Sequence, residues 1–307
     1  MSEPLYFSIQ VDCESTQRSI RDPALGERAL RGLSEVMAET GTKGTFLVLP
    51  GDIEVHASLY RELRAHGHEI GLHIHGSEQG AGEYLGDQSV AVQRRLLLEG
   101  RDRFAQAMGE RPFSFCPGYF SANDATFGLL EELGFTHGAV SCPTRNLPQL
   151  AAVWGPSSLD PRYPHRFNRI LDGDVDFVDL PVTVDPDSRL WGGGQPLDLR
   201  VEQVDAKNHF YTLDKSIRRQ LTQQTPLKQV HALTHSLFEF GDRKNFRRET
   251  YVGLVAAART IAEREKLAFR AATLADVATA YRARVPLTGA PAKALTLDTG
   301  GRAFNRS

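Results

Sequence analysis

The sequence has few cysteines and no long apolar run. Its three cysteines, Cys13, Cys116 and Cys142, lie far apart and form no CxxC pair. This spacing argues against a disulfide-bonded scaffold and against a zinc site built from thiolates. No apolar segment approaches the roughly 18 residues of a membrane-spanning helix, and no secretory leader follows Met1. These absences predict a cytoplasmic protein without a transmembrane segment.

The chain also has no marked excess of positive or negative charge. The chain has 36 Lys and Arg residues against 38 Asp and Glu residues, with no block of like charge. A balanced charge gives no electrostatic reason to expect a nucleic acid or an anionic membrane surface as partner. Hydrophobic residues make up 41% of the 307 positions, which is enough for one substantial core. The sequence does not set the oligomeric state.

Short apolar runs alternate with longer amphipathic segments along most of the chain. Strands are predicted at Leu5–Val11, Gly44–Leu49, His68–His75, Phe113–Cys116, Thr136–Ser141, Val175–Val184, Lys228–Thr234 and Ala268–Ala271. Helices are predicted at Ala24–Glu39, Ala57–Ala65, Gln88–Met108, Asn123–Leu133, Arg247–Glu265 and Leu274–Tyr281. This alternation predicts a single α/β domain whose parallel sheet is covered by helices and is closed or nearly closed.

Two segments depart from the alternation. Periodicity fades from Cys142 to Asp172, which contains five prolines, and a long excursion of this kind in a compact domain indicates function or disorder. After about Arg284 the chain becomes rich in Pro, Gly and Ala. We therefore assign residues 1–283 to the domain and residues 284–307 to a C-terminal tail.

Two acids follow the first predicted strand. Asp12 and Glu14 are separated by Cys13, and in an extended backbone residues i and i+2 point to the same face. Functional residues of α/β folds collect at the carboxyl ends of strands. Two adjacent carboxylates cost free energy unless they share a cation or a proton. The alternative is a pair of ordinary surface acids.

Histidines end two other predicted strands. His73 and His75 share a face of the third strand, and two imidazoles with one carboxylate make a common hydrolytic zinc site. His235 ends the strand Lys228–Thr234, where it could transfer protons near neutral pH. His231, four residues earlier, is expected to be buried or structural. Each of these histidines could instead be an ordinary hydrogen-bonded residue.

The order of these features resembles the polysaccharide deacetylase superfamily, the carbohydrate esterases that include chitin and peptidoglycan deacetylases. GHEIGLHIHG (Gly67–Gly76) is similar to the second motif of that family, and FCPGY (Phe115–Tyr119) to the third. LTHS (Leu233–Ser236) is similar to the fifth motif, and FRAATLADVATAY (Phe269–Tyr281) to the usual ending. The resemblance covers roughly Leu5 to Tyr281. It implies a distorted (β/α)7-type barrel over residues 1–283 and a metal-dependent deacylase.

The chain departs from the family pattern in its first two motifs. Where the family has adjacent aspartates, this chain has Asp12-Cys13-Glu14, so either acid could be the base and the other the ligand. The family spaces its ligand histidines four apart, but Ser77 stands four after His73, which leaves His75 as the second ligand.

A third departure is Cys116, which stands where the family has an arginine that braces the catalytic aspartate. Asp179 is the rough counterpart of the acid that holds that arginine, and Arg166 or Arg169 could substitute for it. Cys116 is expected to be structural, since no histidine is near in sequence to generate a thiolate. These departures indicate a divergent branch of the family.

The resemblance implies a role for each candidate site residue. Glu14, His73 and His75 would bind a divalent ion, with zinc as the first choice and cobalt, nickel or manganese as alternatives. Asp12 would be the general base and His235 the general acid. The backbone N–H of Tyr119 would stabilise the oxyanion.

The predicted activity is removal of an acetyl or formyl group from the nitrogen of a sugar or sugar conjugate. A cytoplasmic enzyme would meet small-molecule, nucleotide-linked or lipid-linked sugars, and Arg145, Arg166 and Arg169 could bind a phosphate or carboxylate on them. One alternative is an allantoinase-like amidohydrolase acting on a small amide that is not a sugar. Another is a barrel that binds carbohydrate without catalysis.

Overall fold

A computed structural model describes residues 2–190 and 193–287. Its strands are β1 (Pro4–Cys13), β2 (Thr45–Val48), β3 (Glu69–Ile74), β4 (Ser114–Pro117), β5 (His137–Gly138), β6 (Asn146–Leu147), β7 (Ala152–Val153), β8 (Pro164–His165), β9 (Asn168–Asp172), β10 (Val178–Asp179), β11 (Val184–Leu190), β12 (Gln195–Asp198), β13 (Lys228–His235) and β14 (Ala268–Ala272). Its α-helices are α1 (Pro23–Thr40), α2 (Pro50–Val55), α3 (Ala57–Ala65), α4 (Val90–Met108), α5 (Thr126–Glu132), α6 (Ala206–Thr222), α7 (Phe246–Arg264) and α8 (Leu274–Arg284).

Eight strands form one parallel sheet in the order β10-β5-β4-β3-β2-β1-β13, with β14 also paired to β1. The chain after β10 approaches the other end of the sheet, where Thr183 N donates to His231 O at 2.9 Å. Val201 N likewise donates to Leu233 O of β13 at 2.9 Å. The curled sheet is therefore nearly closed, and the predicted distorted (β/α)7-type barrel is confirmed.

Strand β1 divides its side chains between two environments. Its odd positions from Leu5 to Cys13 are apolar and pack in one core cluster with residues of α1, α6 and α7. Its even positions Ser8, Gln10 and Asp12 are polar and are also buried. Since successive side chains of a strand point to opposite faces, the polar row faces the interior of the barrel. This row leads to the acids at the carboxyl end of the strand.

Helix ends follow local signals that the sequence carries. Asp22 caps α1 by accepting a hydrogen bond from Leu25 N at 2.9 Å, and Pro23 occupies the first turn. Gly41 ends the helix with a left-handed φ of 60°. Ser89 and Gly109 bound α4 in the same way. The predicted bounds of these two helices are therefore within two residues of the observed ones.

Two predicted strands are shorter than expected. The segment Thr136–Ser141 pairs only at His137–Gly138, because Val140 N and Ser141 N donate to the Asp179 carboxylate at 3.2 and 3.3 Å. The segment Val175–Val184 divides into β10 and the start of β11. Pro181 lies between them and has no N–H to donate to a sheet.

Helix α6 was absent from the prediction. Its buried face includes His209, Thr212, Ser216 and Gln220 beside Leu213 and Ile217, so most of the positions that this helix buries are polar and do not form an apolar run. The excursion 142–172 contains the antiparallel pairs β6–β7 and β8–β9. Within the described residues no helix is long and apolar enough to cross a membrane. Residues 288–307 of the predicted tail lie outside the described residues.

Candidate metal and catalytic site

Polar side chains of β1, β3 and β13 meet at the carboxyl end of the sheet. Asp12 is the register partner of His235, so these two residues leave neighbouring strands side by side. His73 in turn is the partner of Cys116 on β4. Because parallel strands end at the same edge, the acids and histidines predicted from separate segments lie in one cluster.

Glu14 contacts both histidines of the HxH pair through one oxygen. Its Oε1 lies 2.9 Å from His73 Nε2 and 3.1 Å from His75 Nε2. The two rings are 5.1 Å apart between centroids, and all three side chains are buried. Burial raises the pKa of Glu14, but hydrogen bonds from His73 and His75 outweigh it and bring the pKa well below its usual value. Glu14 is therefore an ionised carboxylate.

The second nitrogen of His75 is held by a residue that the sequence did not indicate. His75 Nδ1 lies 2.6 Å from Glu83 Oε1, and Ser77 Oγ donates to the other Glu83 oxygen. Burial lowers the pKa of His75, whereas Glu14 and Glu83 raise it to about 10. Glu83 is in the loop Gly80–Asp87, outside any periodic segment, so no pattern could have identified it.

These residues fit a divalent cation. One ligand atom each from Glu14, His73 and His75 lie within 4.8 Å of one another. A carboxylate on Nδ1, as Glu83 is on His75, fixes the tautomer whose Nε2 lone pair can bind a metal. Two imidazoles and a carboxylate are a ligand set of catalytic zinc that leaves a position for water, and the set also accepts cobalt, nickel or manganese.

Asp12 and His235 form the second part of the cluster. Asp12 Oδ2 lies 4.0 Å from His235 Nε2, and Gln10 Nε2 donates to Asp12 Oδ1 at 2.8 Å. Burial raises the pKa of Asp12, and the two nearby histidines counteract part of this rise. A carboxylate and an imidazole in this arrangement could accept one proton and donate another across a bound substrate.

His235 has an acidic partner, Glu202, which sequence reasoning left unidentified. His235 Nδ1 contacts Glu202 Oε1, and Thr234 Oγ1 donates to Glu202 Oε2 at 2.9 Å. Burial lowers the pKa of His235, but the Glu202 carboxylate outweighs it and raises the pKa to about 9. The imidazole is thus protonated at neutral pH.

The resemblance implies an arginine between Asp12 and Asp179, but other residues contact these two acids in this chain. Cys116 Sγ is 3.5 Å from Gln10 Nε2, so Gln10 contacts both Asp12 and the cysteine that stands for the arginine. Asp179 instead pairs with Arg162, whose Nε lies 3.1 Å from Asp179 Oδ2. Burial raises the pKa of the Cys116 thiol well above its usual value, which disfavours a thiolate.

The structure corrects the predicted places of Arg166 and Arg169. Arg166 pairs with Glu131 at 2.6 Å, and Arg169 pairs with Asp124 at 2.8 Å. Both lie on β8–β9 and its turn, away from the cavity at the site, because the β8–β9 hairpin packs beside α5. Neither substitutes for the missing arginine, and neither lines the catalytic cavity.

A strained turn follows β4. Tyr119 and Phe120 both have positive φ, 60° and 55°, which is uncommon for residues with a side chain. Their carbonyls accept hydrogen bonds from Arg145 Nη1 at 2.7 Å and from Trp154 Nε1 at 2.8 Å. A Cβ on Gly118 would lie 2.5 Å from His75 Nε2, so only glycine fits there. The turn therefore brings the Gly118 backbone against His75, and the Tyr119 ring lies 5.1 Å from the His75 ring between centroids.

A cavity of about 290 Å³ opens over this cluster. Its lining residues are Asp12, Glu14, His75, Pro117, Tyr119, Phe120, Arg145, Leu147, Leu150, Gln195, Arg200 and His235. All the predicted catalytic residues line it, together with Arg145. Gln195 and Arg200 were not predicted, since they follow irregular sequence after Gly194.

Sequence comparison identifies one family. Residues 26–138 match the family model described as polysaccharide deacetylase. This segment of the chain is therefore similar to polysaccharide deacetylases. The matched region includes the HEIGLHIHG and FCPGY segments, but it ends before His235 and begins after Glu14. No curated protein matches the sequence.

Several solved structures share the fold of this chain. A protein from Mycobacterium smegmatis assigned as a polysaccharide deacetylase is 17% identical, with a TM-score of 0.61 over 97% of this chain and 96% of that one. One from Pseudomonas aeruginosa PAO1, also assigned as a polysaccharide deacetylase, is 15% identical, with a TM-score of 0.60 over 92% of each chain. PuuE allantoinase is 15% identical, with a TM-score of 0.62 over 92% of each chain.

Proposed function

We propose that this polysaccharide deacetylase relative is a metal-dependent hydrolase that removes an acetyl or formyl group from the nitrogen of a sugar or sugar conjugate. The observation that carries the proposal is the convergence of Glu14, His73 and His75 beside the neighbouring pair Asp12 and His235. Metal-dependent hydrolysis of an amide uses this combination of metal ligands and two proton-transfer groups. A cytoplasmic location stays a prediction.

Glu14, His73 and His75 would hold the ion. When bound, the ion would supply a water of lowered pKa and an electrophile for the acyl oxygen. Zinc is our first choice, and cobalt, nickel or manganese suit the same ligands. Glu83 holds His75 in the orientation that this role needs.

Asp12 and His235 would divide the proton transfers. Asp12, held by Gln10, accepts the proton of the attacking water. His235, kept protonated by Glu202, donates its proton to the leaving nitrogen. This donation is needed because an amide anion is too basic to leave.

The turn after β4 would contact the acyl group. The Tyr119 backbone N–H donates to the oxygen that becomes negatively charged, and Arg145 fixes the turn from behind through the Tyr119 carbonyl. Arg145 also lines the cavity and would contact the substrate. An oxyanion donor of this kind lowers the activation barrier by about 3–4 kcal/mol.

A second candidate is hydrolysis of a small amide that is not a sugar. Two observations favour it: the cavity of about 290 Å³ and a fold shared with PuuE allantoinase. It uses the same ligands and proton-transfer groups, so only the substrate separates it from the first. A barrel that binds carbohydrate without catalysis would show binding but no turnover.

The test begins with metal analysis of the purified chain. We expect about one divalent ion per chain and turnover of N-acetyl or N-formyl sugars, including nucleotide-linked ones, ahead of allantoin.

His235→Ala should lower kcat by roughly 10²–10⁴ with metal content unchanged, and substrates with better leaving groups should recover part of the rate. Loss of metal in this variant would make His235 a ligand instead. A metal-loaded chain inactive on every amide would reject the proposal.

A further inference from the structure

One wall of the catalytic cavity carries two arginines around a single carboxylate. Guanidinium nitrogens of Arg145 and Arg200 lie 3.7 and 3.5 Å from Asp198 Oδ2. That oxygen already accepts a hydrogen bond from Gln195 Nε2 at 3.1 Å. Both arginine distances exceed that of a good charge-assisted hydrogen bond. Two cations thus share one anion, and the wall has an excess of positive charge.

The neighbouring acids Glu202 and Asp12 form no hydrogen bond or ion pair with Arg200 in the described part of the chain. Glu202 and Asp12 act on it electrostatically, but both oxygens of Glu202 are taken by His235 and Thr234. Asp12 Oδ1 is taken by Gln10. Among the described residues, the hydrogen bonds and ion pairs of the Arg200 guanidinium go to Asp198 alone. The Arg200 side chain keeps 22% of its surface exposed where it lines the cavity.

Several polar atoms of this wall are buried without a partner in the described part of the chain. They are Arg145 Nε, Arg200 Nε, Gln195 Oε1 and Asp198 Oδ1. A buried polar atom without a hydrogen bond costs about 1–3 kcal/mol. A ligand with anionic oxygens and hydroxyl groups would supply the partners that the guanidinium groups and the Gln195 carbonyl lack.

We propose that this wall is a subsite for an anionic group, a phosphate or a carboxylate, and that Arg200 is its main contact. The substrate class, an N-acyl sugar carrying such a group, rests on the function proposed above; the anion site does not. The cavity volume is at the low end for small-molecule sites, which suits one substituted sugar better than a polymer chain.

The subsite is built by segments outside the barrel strands. Arg145 lies in the excursion after β5, Gln195 and Asp198 are the two ends of β12, and Arg200 follows that strand. Asn146 N donates to Gly194 O at 2.7 Å, so the two segments form one wall. The barrel edge supplies the proposed chemistry, and these segments supply the choice of substrate.

Kinetics on matched substrates test the subsite. The metal-loaded full chain would be given N-acetylglucosamine, its 1-phosphate, its 6-phosphate and N-acetylmuramic acid, which carries a carboxylate. We expect at least one anionic sugar to exceed the neutral sugar by about tenfold or more in kcat/KM. Arg200→Gln should reduce that ratio about tenfold. Arg94→Gln, which removes an arginine on the outer surface, should keep it.

Binding separates this proposal from the function it extends. Calorimetry would compare glucosamine 6-phosphate, glucosamine 1-phosphate and muramic acid with neutral glucosamine on the wild type and on Arg200→Gln. If no amide is hydrolysed but the wild type alone prefers an anionic sugar, the proposed function fails and the subsite stands. If neutral and anionic sugars are bound and hydrolysed alike, or Arg200→Gln weakens both alike, the subsite is overturned while deacylation stands.

Discussion

At the scale of single residues, the pair of His235 and Glu202 sets the protonation of the proposed acid. Burial works against the charged imidazole, and the adjacent carboxylate raises its pKa to about 9. A general acid is active while protonated, so activity should be retained at neutral pH and lost as pH rises through about 9. Glu202→Gln removes the charge and keeps the shape. In this variant the alkaline limb of the plot of kcat against pH should therefore move to lower pH.

Two control variants are expected to shift the alkaline limb less than Glu202→Gln does. Thr234→Val removes only the hydroxyl that donates to Glu202, so its alkaline limb should stay closer to the wild type. Glu62→Gln, on the outer surface, should leave the profile unchanged. An alkaline limb that does not move in Glu202→Gln would mean that His235 is not the titrating acid.

Cys116 is the second residue whose role can be separated by substitution. Its thiol is buried beside Asp12, and burial raises its pKa well above the usual value, which disfavours a nucleophilic thiolate. Cys116→Ser should retain most of the turnover, with folding and metal content intact. Loss of nearly all turnover in a folded, metal-loaded variant would contradict the structural role.

Residue types at strand ends could be predicted, but their partners could not. The i, i+2 spacing of Asp12 and Glu14, and of His73 and His75, is a property of one strand and is visible in the sequence. Glu83 and Glu202 come from segments without a period, and only the fold brings them to the histidines. Arg166 and Arg169 were wrongly expected at the site, because the presence of arginines in a segment does not show where their side chains point.

At the scale of elements, the turn after β4 depends on the excursion that follows β5. Two adjacent left-handed residues cost roughly 1–3 kcal/mol each, and the surrounding contacts must hold them. Trp154 does so through its indole N–H to Phe120 O. The sequence predicted the excursion as irregular, since proline-rich chain lacks a period, and could not show that it braces this turn.

Trp154→Phe tests this bracing. Phenylalanine keeps most of the buried ring but donates no hydrogen bond, so about 1 kcal/mol of support for the turn is lost. We expect kcat to fall roughly fivefold with KM and metal content nearly unchanged, because the Tyr119 backbone N–H acts on the transition state. Tyr119→Phe, which leaves the backbone intact, is the control. An equal fall in both variants would point to the tyrosine ring instead.

At the scale of the whole molecule, alternation of apolar runs predicted the barrel because each buried strand has its own local signal. The contacts that the excursion makes with the sheet could not be predicted from such local signals. Asp179 ends β5 by accepting from Val140 N and Ser141 N, and it binds Arg162 from the excursion. Such links between distant segments leave no period in the sequence. They join β10 to the chain after β5 and to the excursion.

Arg162 should therefore contribute more to stability than any surface arginine of the same segment. It is buried, pairs with Asp179, and donates to the carbonyls of Arg169, Ile170 and Leu171. Arg162→Ala leaves the Asp179 carboxylate buried without its cation, which should lower the free energy of unfolding by about 3–5 kcal/mol. Arg166→Ala, on the half-exposed pair with Glu131, should cost about 1 kcal/mol or less. Urea denaturation of the two variants measures the difference, and equal midpoints would show that the buried pair does not stabilise the fold more than the surface pair does.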